Sequence, residues 1–75
     1  MSRRPPFEEG DVVVQNYSTP PFPVDAPLII LRTRRVYKDG RATPRWSAFV
    51  SMTRTPKGWL LPPKGWLPAE TLVRL

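Results

Sequence analysis

Four prolines fall within the stretch from Ser18 to Pro27, "STPPFPVDAP". A central β-strand cannot accept them, because each removes an amide donor from the ladder. The stretch therefore predicts a long ordered loop, pinned by Phe22 and Val24. Elsewhere Pro and Gly recur in short clusters, at Lys38-Asp39-Gly40, Thr55-Pro56-Lys57-Gly58 and Pro62-Pro63-Lys64-Gly65. Proline presets φ and glycine accepts positive φ, so each cluster reads as a turn. Between these breaks no segment offers an amphipathic helix of about ten residues or more.

What remains is short and β-like. Glu8-Glu9-Gly10-Asp11 reads as a turn leading into Val12-Val13-Val14, a β-branched strand. Leu28–Tyr37, "LIILRTRRVY", is the strongest strand signal. After Pro44, "RWSAFVSM" alternates, with Trp46, Ala48, Val50 and Met52 on one face and Ser47, Phe49 and Ser51 on the other. These two strands form a central hairpin. Trp59-Leu60-Leu61 reads as a further short strand and Leu72–Leu75 as the last. Pro68-Ala69-Glu70-Thr71 suits a 3₁₀ turn, since Pro is tolerated at its first position.

The expected fold is all-β: a small five-stranded barrel with a Pro-rich long loop and one 3₁₀ turn before the last strand. Residues 1–6, polar and Pro-rich, read as a flexible arm and residues 7–75 as the single domain. At this size only about 60% of the unfolded surface is buried on folding, so stability rests on good packing or on association.

The order of parts resembles a Src-homology-3-like barrel. "KGWLPAETLVRL" is similar to the close of such barrels, where Gly-aromatic-apolar-Pro enters the 3₁₀ turn, and "FEEGDVVV" to the Gly-Asp start of many of them. The peptide-binding members need an acidic, aromatic-rich groove for Pro-rich ligands, whereas here the middle of the chain is basic. The KOW class of nucleic-acid modules shares Gly10-Asp11-Val12-Val13, but this chain has no further Gly before Gly40. Type II dihydrofolate reductases have a similar end. Their pore residues are a Val-Gln-Ile-Tyr stretch, and Lys64-Gly65-Trp66-Leu67 stands in its place, so that chemistry is not carried over.

The chain holds no Cys and no His. That removes disulfides, thiol chemistry, Cys/His zinc sites and any imidazole base. No pair of its six carboxylates suggests acid–base work, and no Gly-rich phosphate loop occurs. The reading is non-enzymatic, with no metal and no cofactor. No apolar run approaches the roughly 20 residues of a membrane helix and no signal peptide opens the chain, so a cytoplasmic protein without membrane contact is expected.

Twelve Lys/Arg against six Asp/Glu leave a net charge of +6. Nine of the basic residues lie between Arg32 and Lys64, with one acid, Asp39. Such a middle attracts polyanions, nucleic acid first, or an acidic protein surface; the plainer reading is charge kept for solubility. The candidate binding residues are Arg32, Arg34, Arg35, Tyr37, Lys38, Arg41, Arg45, Arg54, Lys57 and Trp59. If Ile29 and Leu31 enter the core, Leu28 and Ile30 form an outer apolar patch beside Arg32 and Arg34, whereas a bulge near Thr33 would swap the faces. Tyr37 and Trp46 are placed to stack on bases, with a core role the alternative, favoured for Trp46.

Three functions follow. The first is a nucleic-acid-binding module working through the basic hairpin. The second is a protein-binding accessory factor, a regulator or inhibitor of a larger nucleic-acid enzyme. The third is a homo-oligomer subunit using the outer apolar patch. Compact basic all-β chains with a Pro-rich arm are typical of phages and mobile elements. "PKGWLLPPKGWL" doubles Pro-Lys-Gly-Trp-Leu, and both copies read as turn chemistry rather than as a repeated ligand site, with Trp66 the core candidate and Trp59 the exposed one.

Overall fold

The β-branched and apolar runs become five antiparallel strands of one sheet in the computed structural model, which describes residues 4–16 and 22–75. They are β1 (Val12–Gln15), β2 (Leu28–Lys38), β3 (Arg41–Met52), β4 (Lys64–Pro68) and β5 (Leu72–Arg74), with a 3₁₀ turn at Ala69–Thr71 before β5. Residues 1–3 of the expected arm and 18–21 of the expected loop lie outside the described residues. The sheet order is β4-β3-β2-β1-β5. The sheet is open, with β4 and β5 as its edges.

The β2–β3 hairpin dominates. Lys38 pairs with Arg41 across a two-residue turn, Asp39 at φ 53° and Gly40 at φ 77°. Two consecutive positive φ values match the right-handed twist of the strands, and Asp-Gly is the pair that accepts them most readily. Two irregularities then decide which side chains face which way. Ile30 pairs with Val50 and Arg32 with Phe49, so Leu31 is an extra residue, a bulge. Leu28 and Ile30 face inward and are fully buried, while beyond the bulge inward facing passes to Thr33 and Arg35, which pair with Ala48 and Trp46. Of the two facings the sequence leaves open, the one with Ile29 and Leu31 in the core is ruled out: Ile29 is half-buried and Leu31 is exposed. The outward patch of Leu28 and Ile30 does not exist. The second irregularity sits at Pro44, where three β3 residues lie opposite Val36 alone. Pro44 has no amide to donate, and the Thr43 hydroxyl donates to the Val36 carbonyl instead, at 2.7 Å.

The core gathers Phe7, Val13, Phe22, Leu28, Ile30, Ala48, Val50, Leu67, Ala69 and Leu72, with Trp46 and Met52 packed against it. Ala48, Val50, Trp46 and Met52 share the inner face as their alternation predicts. Phe22 does anchor its segment, being 3% exposed. Its ring lies so near Gly65 that a Cβ there would stand 3.3 Å from Cε2. Gly65 therefore belongs to strand β4, opposite Val50, and not to a turn.

That placement corrects three further expectations. The fourth strand is Lys64–Pro68, whereas Trp59-Leu60-Leu61 is unpaired loop, since the following Pro62-Pro63 offers no amide to a ladder. With Gly65 and Leu67 inward, Trp66 turns outward and is 38% exposed rather than core. Of the two PKGWL copies only the first is a turn: Gly58 takes φ 89°, and the Trp59 amide donates to the Pro56 carbonyl at 3.0 Å. No helix among the described residues is long and apolar enough to cross a membrane.

Candidate functional site

β1 pairs with β2 only at Leu28 and Ile29, and β4 reaches β3 only from Ser47 to Ser51. From Arg35 round to Trp46 the hairpin pairs with no third strand among the described residues and is therefore a two-stranded ribbon, its root at Trp46 packed back against the core. The molecule's extents are 41 × 24 × 20 Å. Arg35, Lys38, Arg41 and Arg45 sit on the ribbon, with Arg32 and Arg34 at its root. None of these six makes a salt bridge among the described residues, where the ion pair present is Arg74–Asp11 at 3.1 Å. Cations free of ion pairs among the described residues give this element a positive surface. Tyr37, 65% exposed, stands among them.

Neighbouring arginines on β2 point to opposite faces, and each meets a tryptophan from another strand. On the outer face the Arg34 guanidinium lies over Trp66, 4.3 Å from the ring centroid, and Phe49 is tilted against the same ring at 5.2 Å. On the inner face Arg35 lies over Trp46 at 5.3 Å. These cation–π contacts hold each guanidinium plane in place. Trp46 is half-buried, between the two roles expected for it, and the Arg35 Nε is buried without a hydrogen-bond partner.

Two concavities flank the inner stack. One, of about 770 Å³, lies between the N-terminal segment, the ribbon root and the 3₁₀ turn, with Pro6, Phe7, Trp46, Ala69 and Leu72 as apolar walls and Arg35 and Arg45 among its polar lining. The other, of about 690 Å³, is lined by Arg34, Arg35, Val36, Tyr37, Trp46 and Ser47. The chain thus brings eight of its aromatic and basic side chains, Arg32, Arg34, Arg35, Tyr37, Lys38, Arg41, Arg45 and Trp46, onto one hairpin.

Arg54, Lys57 and Trp59 are placed elsewhere. They belong to the β3–β4 loop beyond Met52, at the opposite end of β3 from the ribbon tip. That loop is tied down at its stems, where Met52 N donates to Pro63 O at 3.1 Å and Thr53 N to Pro27 O at 3.2 Å. Its tip holds Trp59, Leu60 and Leu61 at 52%, 99% and 72% exposure.

Sequence reasoning missed Trp66 and Phe49 as partners of Arg34, and Pro6 and Phe7 as groove walls. Reading Lys64–Pro68 as an alternating strand would have found Trp66; nothing local in the sequence pairs Phe7 with Trp46. Among the described residues no three His, Cys, Asp or Glu side chains cluster as metal ligands. Compared with known proteins, the chain matches no family model, no curated protein and no solved structure.

Proposed function

We propose that this chain is a non-enzymatic nucleic-acid-binding module whose ribbon engages phosphates through Arg32, Arg34, Arg35, Lys38, Arg41 and Arg45. The observation that carries the reading is that none of these six cations is used in an ion pair within the described fold. Phosphate contact is sequence-independent and releases counterions, so affinity falls with salt. If all six contact phosphates, the log–log salt slope is about −4 on single strands and about −5 on duplex. An electrophoretic shift assay across a salt series with DNA and RNA tests this. A slope near zero, or no shift at low salt, removes the reading. The sheet order and the 3₁₀ turn before β5 support the likeness to a Src-homology-3-like barrel that opens at the β4 and β5 edges.

The exposed Trp59-Leu60-Leu61 tip favours a second reading, a protein-binding accessory factor. Consecutive apolar residues outside the core mark an interaction site, and Arg54 and Lys57 beside them suit an acidic partner. Co-purification from the native host of one stoichiometric protein, lost when the three tip residues become Ser, supports it. A strictly concentration-dependent mass in light scattering would point instead to self-association through the same tip.

A further inference from the structure

The Arg35–Trp46 stack lines both concavities, so they meet at it. Its surroundings differ from a phosphate-binding surface. On one side Pro6, Phe7, Ala69 and Leu72 form apolar walls, with Arg4 and Glu70 charged at the lining beside them. On the other lie Val36, Tyr37 and Arg34. Arg45 lines the first concavity next to Trp46, where it can meet a phosphate while a planar group lies against the apolar walls. Leaving the Arg35 Nε buried and unpaired is costly. The guanidinium nonetheless lies over Trp46, 5.3 Å from the ring centroid, and gives the groove a cationic, aromatic surface.

Both volumes fall in the roughly 300–1,000 Å³ range of ligand-sized sites. A base inside a duplex has both faces covered by its neighbours and its edge paired, and cannot enter such a groove. An unpaired base can. Stacking on aromatic and guanidinium planes, with phosphates tracked by nearby cations, is the chemistry by which single strands are held.

We infer that the groove at Arg35 and Trp46 is a base-stacking site and that this protein binds single-stranded nucleic acid in preference to duplex. The inference rests on the nucleic-acid reading above and deepens it. The ribbon supplies phosphate contacts, and the groove supplies discrimination between paired and unpaired strands.

Fluorescence anisotropy with three labelled probes of equal length tests it: oligo(dT), an abasic oligonucleotide with the same phosphates, and a DNA duplex. Oligo(dT) is expected to bind about tenfold more tightly than the other two, the gain of one stacked base. Arg35→Lys keeps the charge and removes the plane. In that variant oligo(dT) affinity should drop to the abasic level, with the salt slope unchanged. The probe comparison on the unaltered protein needs no variant, so a poorly folding Arg35→Lys would not rescue the idea. Equal binding of all three probes overturns the groove inference while leaving phosphate binding intact. Tighter binding of duplex overturns it too and assigns the ribbon to the major groove, which admits a two-stranded β-ribbon. No binding to any probe removes both readings.

Discussion

Replacing Ile30 with Ala should cost far more than replacing its neighbour Leu31, although the two are equally apolar. Ile30 is fully buried against the core, paired with Val50, while Leu31 occupies the bulge and is 36% exposed. Ile30→Ala removes three buried carbons at about 0.8 kcal/mol each and leaves a cavity, about 3–4 kcal/mol altogether. Leu31→Ala loses contacts that solvent already shares, about 1 kcal/mol or less. A chain of this length has about 4–11 kcal/mol of stability, so the first loss is a large share of it. The two backbone hydrogen bonds of residue 30, from Gly10 N at 2.7 Å and to Asp11 O at 2.8 Å, survive either change. Urea titration followed by circular dichroism reads both losses, and thermal midpoints should fall by about 12–30 °C for Ile30→Ala against about 8 °C or less for Leu31→Ala. Equal losses, or a larger one at Leu31, would mean that Leu31 shares the core face and would contradict the inward facing of Leu28 and Ile30.

The Gln15 side chain is 3% exposed and both of its amide heteroatoms are buried without partners among the described residues, so Gln15→Met should stabilise the fold by about 1 kcal/mol; a lowered midpoint in the same titration would show that the amide is hydrogen-bonded in solution. Thr43→Val deletes the donor to the Val36 carbonyl beside Pro44, at a cost of about 1 kcal/mol, and the amide-exchange protection of ribbon residues should drop with it; unchanged protection counts against this hydroxyl as the ribbon's fastening. Trp59→Ser with Leu60→Ser should leave stability within about 0.5 kcal/mol, because these side chains lie outside the core, and a cooperative melt shifted by more than a few degrees would contradict their exposure.

Turn chemistry and alternation were legible because their causes are local. Asp39-Gly40 closes a hairpin whatever surrounds it, Pro68 opens the 3₁₀ turn, and the alternation of Trp46, Ala48, Val50 and Met52 predicts their shared inner face. The concentration of cations between Arg32 and Arg45 is likewise written in the chain. Facing and pairing were not legible. In β2 an extra residue at Leu31 reverses the parity of everything after it, and no propensity marks a bulge whose register is set by Val50 and Phe49 across the ladder. The strand status of Lys64–Pro68 depends on a gap at Gly65 that Phe22, far away in sequence, fills. Trp66 faces out for that reason and so becomes the seat of Arg34.

By itself, then, the sequence determined an all-β chain of short strands, punctuated by proline and glycine, with its positive charge gathered on one hairpin. These follow from φ preferences, missing amides and side-chain charge, which each residue carries with it. Tertiary structure decided which arginine meets which tryptophan, that Trp59 and Lys57 stand at the far end from the ribbon, and that a groove lies between Phe7 and Trp46. Those depend on register, where a single inserted residue moves every following side chain to the other face of the sheet.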